Sequence, residues 1–357
     1  MLRIELLSSV NRETQGFPAP VFLNKNGSNV LAIYQIVADK KNKVAAEIFV
    51  NHHGQLQTAF TIESDRKVSS GGATPDFSSI SLLEEDATTA RVRLLSPELT
   101  VKFEKTFDDG LDRGYNLIGG NFSLNGYLLN INYRVGEEIT VVKILSGINL
   151  GTVSEIYLKG IITVSPVFFE HRKDTYLALI LSSRLQIYRL LESQLLIVSD
   201  EELPQIASSL SLHYYSGYPF LIVGTRQAVL KDEFGANQIP ENISKIYHDG
   251  DELRFYLFRK KLNLQSKMNF DTNIETALLL PNGKQMILGQ SGRTESGYFN
   301  LVALHNDFTI KGWDAPIFTN SSMRAASSLG GKFVIVSSAS NKDHRLQNIQ
   351  LYRIKSL

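Results

Sequence analysis

The chain contains no cysteine. That excludes disulfides, thiolate metal centres, cysteine nucleophiles and iron–sulfur clusters. Long apolar runs are also missing: no stretch approaches the roughly 18 residues that a membrane-spanning helix requires. Neither sign of charge dominates. Lys and Arg total 37, Asp and Glu total 36, and the formal net charge of +1 supplies no field to hold a nucleic acid or an anionic membrane. Tryptophan is nearly absent, with Trp313 alone in 357 residues. The first residues, MLRIELLSSVNRE, carry Glu5 and no long apolar core, so they do not read as a secretory leader, and a cytoplasmic location is the default expectation. The 43% of hydrophobic and 20% of charged residues are ordinary for a folded protein.

What the sequence does contain is a recurring unit: a tight polar turn followed by a short, uniformly apolar run. Gly27 precedes VLAIYQIV, Asp86 precedes ARVRLL, Gly126 precedes YLLNINYR, and Lys173 precedes YLALIL. Gly217 precedes YPFLIV, Gly250 precedes LRFYLFR, Gly283 precedes QMIL, and Gly330 precedes KFVIVSS. Runs of this length, rich in β-branched and aromatic residues and bounded by Gly, Asn and Asp, read as buried strands. Asn26-Gly27, Asn125-Gly126 and Asn282-Gly283 are dipeptides that tolerate positive φ at hairpin tips. Further runs such as LTVKFEK and NIQLYRI alternate apolar with polar residues, the pattern of half-exposed strands.

The turns recur with a mean spacing of about 43 residues, the period of propeller blades. On these runs and turns the chain resembles the β-propeller class as a whole. The resemblance implies an all-β fold, a single seven- or eight-bladed β-propeller over residues 1–357 closed by an N-terminal strand. Met1–Leu7 is suited to be the outer strand of the last blade, beside the run Leu346–Ile354. A pair of stacked sandwiches is the alternative. The count of blades turns on two short spacings around Gly250, which make either two units or one irregular one. The long spacing from Gly27 to Asp86 predicts a loop insertion over residues 64–75. Ser199 and Glu202 match a capping box and predict one helix over Glu201–Ser209. The repeated signature of WD-type propellers is missing, because Trp313-Asp314 is an isolated Trp-Asp pair.

Candidate chemistry is sparse. None of the seven histidines has metal-ligand spacing. The acidic clusters at 108–112 and 248–252 lack the alternating ligands of a calcium loop and read as turns. There is no phosphate loop, no dinucleotide fingerprint and no nucleophile elbow. The basic run Arg259-Lys260-Lys261 ends a strand opposite no second basic run and reads as a solvated edge. The functional expectation is therefore a non-catalytic scaffold with no cofactor and no metal, engaging a protein partner or assembly through its loop faces. The alternative is a carbohydrate-active enzyme or lectin-like binder at the axial channel, with a glycan as ligand. Residues next to predicted strand ends are the candidates for that site: His213, Tyr215, His248, Asp249, Arg293, Glu295 and Asp314. Trp313 is read as a loop residue that either plugs neighbouring blades or anchors a partner.

Overall fold

The computed structural model describes residues 2–13, 20–34, 43–86, 89–107, 116–117, 126–134, 137–162, 164–228, 248–270, 272–280, 283–291, 297–313, 317–319, 323–327, 332–339 and 346–356. Among them there are strands and no helix. The first strand, β1 (Leu2–Glu13), is set aside by the chain, which then builds antiparallel sheets in sequence order. Blade 1 holds β2 (Val21–Leu23), β3 (Asn29–Ile33), β4 (Lys43–His52) and β5 (Gln55–Ser64). Blade 2 holds β6 (Lys67–Ala73), β7 (Ile80–Glu85), β8 (Ala90–Leu95) and β9 (Val101–Phe107). Blade 3 has β10 (Asn116–Leu117), β11 (Tyr127–Arg134), β12 (Ile139–Ser146) and β13 (Thr152–Lys159). Blade 4 has β14 (Val167–His171), β15 (Asp174–Leu181), β16 (Arg184–Leu191) and β17 (Gln194–Glu202). Blade 5 contains β18 (Ile206–Tyr215), β19 (Tyr218–Ala228), β20 (His248–Phe258) and β21 (Leu262–Phe270). Blade 6 contains β22 (Asn273–Leu279), β23 (Gln285–Ser291), β24 (Gly297–Leu304), and an outer edge split into β25 (Ile310–Trp313) and β26 (Ile317–Thr319). Blade 7 contains β27 (Met323–Ser327), β28 (Phe333–Ala339) and β29 (Leu346–Ser356), and β1 returns as its fourth strand. The protein is a seven-bladed β-propeller.

The apolar runs are continuous because each inner strand is covered on both faces. In β15, Tyr176, Ala178 and Ile180 enter the cluster shared with blade 5, while Leu177, Leu179 and Leu181 enter the cluster shared with blade 3. The period of two therefore sends alternate residues of one run into two different cores. The same division places Leu221 and Val223 of β19 against blade 4, and Phe220 and Ile222 against blade 6. Polar groups cross some seams as well. Glu84 on β7 is fully buried and accepts from Arg91 (2.7 Å) and from Arg93, whose guanidinium also donates to the Glu63 carbonyl of blade 1 (3.2 Å).

Closure is antiparallel pairing of β1 with β29, from Leu2 opposite Ser356 to Glu13 opposite Leu346, with a bulge between Leu6 and Ser8. The strand thus runs well beyond Met1–Leu7. Arg12 reaches past its own blade into blade 1. Its Nε lies 2.8 Å from Glu47 Oε2, which also accepts from the Tyr34 hydroxyl (2.6 Å), and another guanidinium nitrogen donates to Thr58 (2.7 Å). Ser8 Oγ accepts from the Leu56 amide of blade 1 (3.1 Å). The closing strand is thus fixed along one edge by backbone and along one face by blade 1.

Three expectations need correction. Residues 64–75 are not an insertion, because β6 is the first strand of blade 2. Its Ser- and Gly-rich sequence, KVSSGGA, suits a crowded position: a β-carbon on Gly71 would meet Ile33 Cδ1 at 2.6 Å and press on the Ser81 carbonyl. The turn before β7 is Thr74–Ser79, and Asp86 belongs to the following turn. Residues 201–209 are not helical. They end β17 and open β18, and the supposed cap, Ser199, uses its Oγ to accept from the Leu262 amide of blade 5 (3.2 Å). Gly250 lies within β20 rather than in a hairpin turn, so the two short spacings belong to one blade whose second and third strands are joined by residues 229–247. The turn glycine Gly330 and the acidic cluster 108–112 lie outside the described residues.

Strand direction sorts the connections onto two faces. First-to-second and third-to-fourth strand connections lie on one face and span two to six residues, apart from 118–126 in blade 3. Second-to-third strand connections, among them 34–42, 229–247, 292–296 and 340–345, leave the opposite face.

Arg12→Ala should leave the buried Glu47 carboxylate with Tyr34 alone and cost ~1–3 kcal/mol, a fall of a few °C in Tm by calorimetry. Deleting residues 1–7, which unpairs half of β1, should cost more. A truncated chain melting within about 2 °C of the full chain would mean that β1 does not hold the ring closed.

Candidate functional site

His213 and Tyr215 sit on β18, the first strand of blade 5, in the same alternating set as Ser211. All three face blade 6. Ser211 Oγ lies 3.1 Å from the Ala277 carbonyl of β22 and 3.0 Å from His213 Nε2. Tyr215 packs edge-on against Phe308 with centroids 5.1 Å apart, and Gly283, at φ +65°, lies under its ring so closely that a side chain there would clash. Tyr215 therefore belongs to the packing of the blade 5–6 seam at the tight-turn face.

The His213 imidazole is enclosed by protein while keeping partial contact with solvent. Burial pushes its pKa down to about 4, partly opposed by hydrogen bonds to the backbone carbonyls of Ala277 and Leu279. It is neutral at pH 7. A serine hydroxyl beside a neutral imidazole is the start of a nucleophilic pair, but a working pair needs a third group to orient the base and donors to hold an oxyanion. Here the hydroxyl and the ring are both engaged with backbone carbonyls of the neighbouring blade. The arrangement fastens β18 to β22.

Two further candidates do not converge with these two. His248 and Asp249 open β20, at the long-connection face, roughly 30 Å along the strand from the end that meets the Tyr215 turn. Arg293, Glu295 and Asp314 lie outside the described residues. Trp313 is not a loop residue, and it only half covers its neighbour across the blade 5–6 seam. It ends β25 on the outer edge of blade 6, is 49% exposed, and meets Phe270 edge-on at 6.4 Å. The acidic run 248–252 is strand, not turn. Its Asp251 is buried, accepts from the Ile274 amide of blade 6 (2.6 Å) and pairs with Arg226 (3.4 Å), which makes it another seam fastener. No group of three or more His, Asp or Glu side chains among the described residues could hold a metal ion.

Sequence reasoning missed two features. The Arg12–Glu47–Tyr34 latch joins residues far apart in the chain and leaves no local pattern. The basic run Arg259-Lys260-Lys261 does face a second one. His171, next to Arg172-Lys173, lies 5.8 Å from Phe258 and 5.7 Å from Tyr218 between ring centroids, so the two cationic turns flank the same blade 4–5 seam.

No family model matches the chain, and no curated protein matches it by sequence. Solved structures do match in fold. One is the crystal structure of a mitotic checkpoint complex, with TM-score 0.64 and 10% identity over 98% of this chain and 91% of that one. A second is the β-propeller domain of Cps50 (Swd1) from Myceliophteria thermophila, with TM-score 0.60 and 9% identity over 96% and 98%. A third is the WD40 domain of Toxoplasma gondii coronin, with TM-score 0.58 and 11% identity over 99% and 86%. At such identities the likeness establishes the propeller and nothing about its ligands.

Two measurements check this description. Above pH 6.5 the neutral His213 of the folded chain matches the neutral histidine of the unfolded one. Below it the unfolded chain takes up a proton that the folded ring refuses until about pH 4, so stability is lost across that window as pH falls. Urea unfolding should show wild type losing more stability than His213→Gln between pH 6.5 and pH 4; parallel profiles would remove the burial argument. Trp313 should emit at solvent-exposed wavelengths and be open to acrylamide. Trp313→Ala should cost under ~1.5 kcal/mol, well below the ~3–5 kcal/mol of a buried aromatic.

Proposed function

We propose that this chain is a non-catalytic scaffold that engages a protein partner or larger assembly through its loop faces. The observation that supports it most is the division of labour in the ring. Two of the sequence candidates, His213 and Tyr215, and the buried Asp251 are used to fasten one blade to the next. The second-to-third strand connections, up to the longest, 229–247, leave a single face, where their sequence can vary without disturbing the seams. The matching propellers include one solved within a checkpoint complex, which lends the reading support by fold analogy alone.

The test is affinity capture from the native source followed by mass spectrometry. A partner retained by wild type should be lost when residues 292–296 and 340–345 are replaced by Gly-Ser linkers of equal length, with Tm unchanged. Recovery of no protein partner, together with specific binding on a glycan array, would replace the scaffold reading with a carbohydrate-binding one.

A further inference from the structure

We propose that the blade 4–5 seam on the tight-turn face is a docking site for an acidic, extended segment of a protein partner; this rests on the scaffold reading above. Arg172 and Lys173 form the two-residue turn between β14 and β15, at φ +54° and +71°. Consecutive positive φ values are the geometry that Asn-Gly occupies without strain. Among the described residues, 53–54 and 216–217 share that pattern, and each has glycine in second place. The Arg-Lys turn lacks glycine altogether. Two long cations held where the backbone disfavours them point to a use for the cations themselves.

Both side chains are exposed and have no ion-pair partner among the described residues. The same holds for Arg259, Lys260 and Lys261 in the turn between β20 and β21. The nearest carboxylate on β15, Asp174, is taken by Arg189 at 2.9 Å. A chain of net charge +1 therefore concentrates, on the two turns flanking one seam, five cations with no ion-pair partner among the described residues, against the Glu170 carboxylate of β14, which is hydrogen-bonded to Thr175. Between them stands Tyr218, with the Arg259 guanidinium 5.1 Å from its ring centroid. Beneath them His171 is 6% exposed, and its Nε2 has no hydrogen-bond partner among the described residues. This buried nitrogen is polar capacity that the fold does not itself use.

The chemistry favours carboxylates. Stacking on Tyr218 holds the Arg259 fork in place, and a fixed guanidinium recognises a carboxylate by paired N–H donors. An anionic membrane asks for charge spread over a plane and gains nothing from that fork. Single-stranded nucleic acid needs an open aromatic face to stack a base, and this face of Tyr218 is covered by Arg259.

The probe is a fluorescein-labelled dodecapeptide of four Glu-Asp-Gly repeats, read by anisotropy. Wild type should bind it, with affinity falling at least about tenfold between roughly 50 and 300 mM salt. The double variant Arg172→Asn, Lys173→Gly should melt higher, because the turn is relieved, yet bind at least about tenfold more weakly. Reversal of Arg259, Lys260 and Lys261 to Glu should abolish binding, while Lys25→Glu, on the same face at blade 1, should change it less than about twofold. The proposal is overturned if wild type does not bind the peptide, or if the folded Asn-Gly variant binds it unchanged. Tighter binding to phosphatidylserine vesicles or to a labelled oligo(U) RNA overturns it in favour of those ligands. A native partner captured equally by wild type and both charge variants leaves the scaffold reading standing and overturns this one.

Discussion

The pairing of β1 with β29 is the contact on which the rest of the molecule depends. Every other sheet is built from strands that follow one another in sequence, and each could be traced without reference to the chain ends. Blade 7 alone is completed from the far end of the chain. Without that strand the last blade has a free edge, and the seam between blades 7 and 1 loses Leu7 and Val10 from its apolar cluster. Arg12 adds a charged tie across the same seam, and it does so at a carboxylate that is otherwise buried. A sheet edge left open is both a loss of backbone hydrogen bonds and an invitation to aberrant pairing. The ring removes that hazard at the one place where covalent continuity cannot.

Closure also explains why so much of the polar inventory is structural. A ring of stacked sheets has many seams, and each must be filled and kept in register. Apolar alternation fills them. Arg93, held by the buried Glu84 of its own blade, and Asp251 and Ser211 then fix blades relative to one another through hydrogen bonds to a neighbour's backbone. A buried carboxylate between arginines is a weak source of stability, since desolvation offsets much of the attraction. Its value lies in directionality, which a slippery apolar seam lacks. What the seams do not use are the second-to-third strand connections on one face and, on the other, cations that have no ion-pair partner among the described residues.

The blade period and the uniformly apolar inner runs were legible because they are local. YLALIL announces a strand buried on both faces, and the structure splits it between two cores. Features set by the axis were not legible. KVSSGGA looks like a loop because its small residues answer to crowding by Ile33 and the Ser81 carbonyl, which sequence does not show. Ser199 looks like a helix cap, because its partner, the Leu262 amide, belongs to another blade. The candidate site fared worse for the same reason. Adjacent strand ends in sequence proved to lie at opposite faces, whereas Arg172 and Arg259, distant in the chain, flank one seam.

The closing strand has a kinetic consequence. On the ribosome, β1 is synthesised before any blade and its partner β29 after all of them. At about 5–20 residues per second, the wait between the two is on the order of 20–70 s. Through that interval an alternating strand must remain unpaired while each new sheet offers it a temporary edge. Contacts of such long range are also the slowest to form by search alone. The charged residues along β1, Arg3, Glu5 and Arg12, are the kind that discourage adventitious strand pairing. The same arginine that later ties the ring to blade 1 thus helps to keep the strand soluble until its proper partner exists.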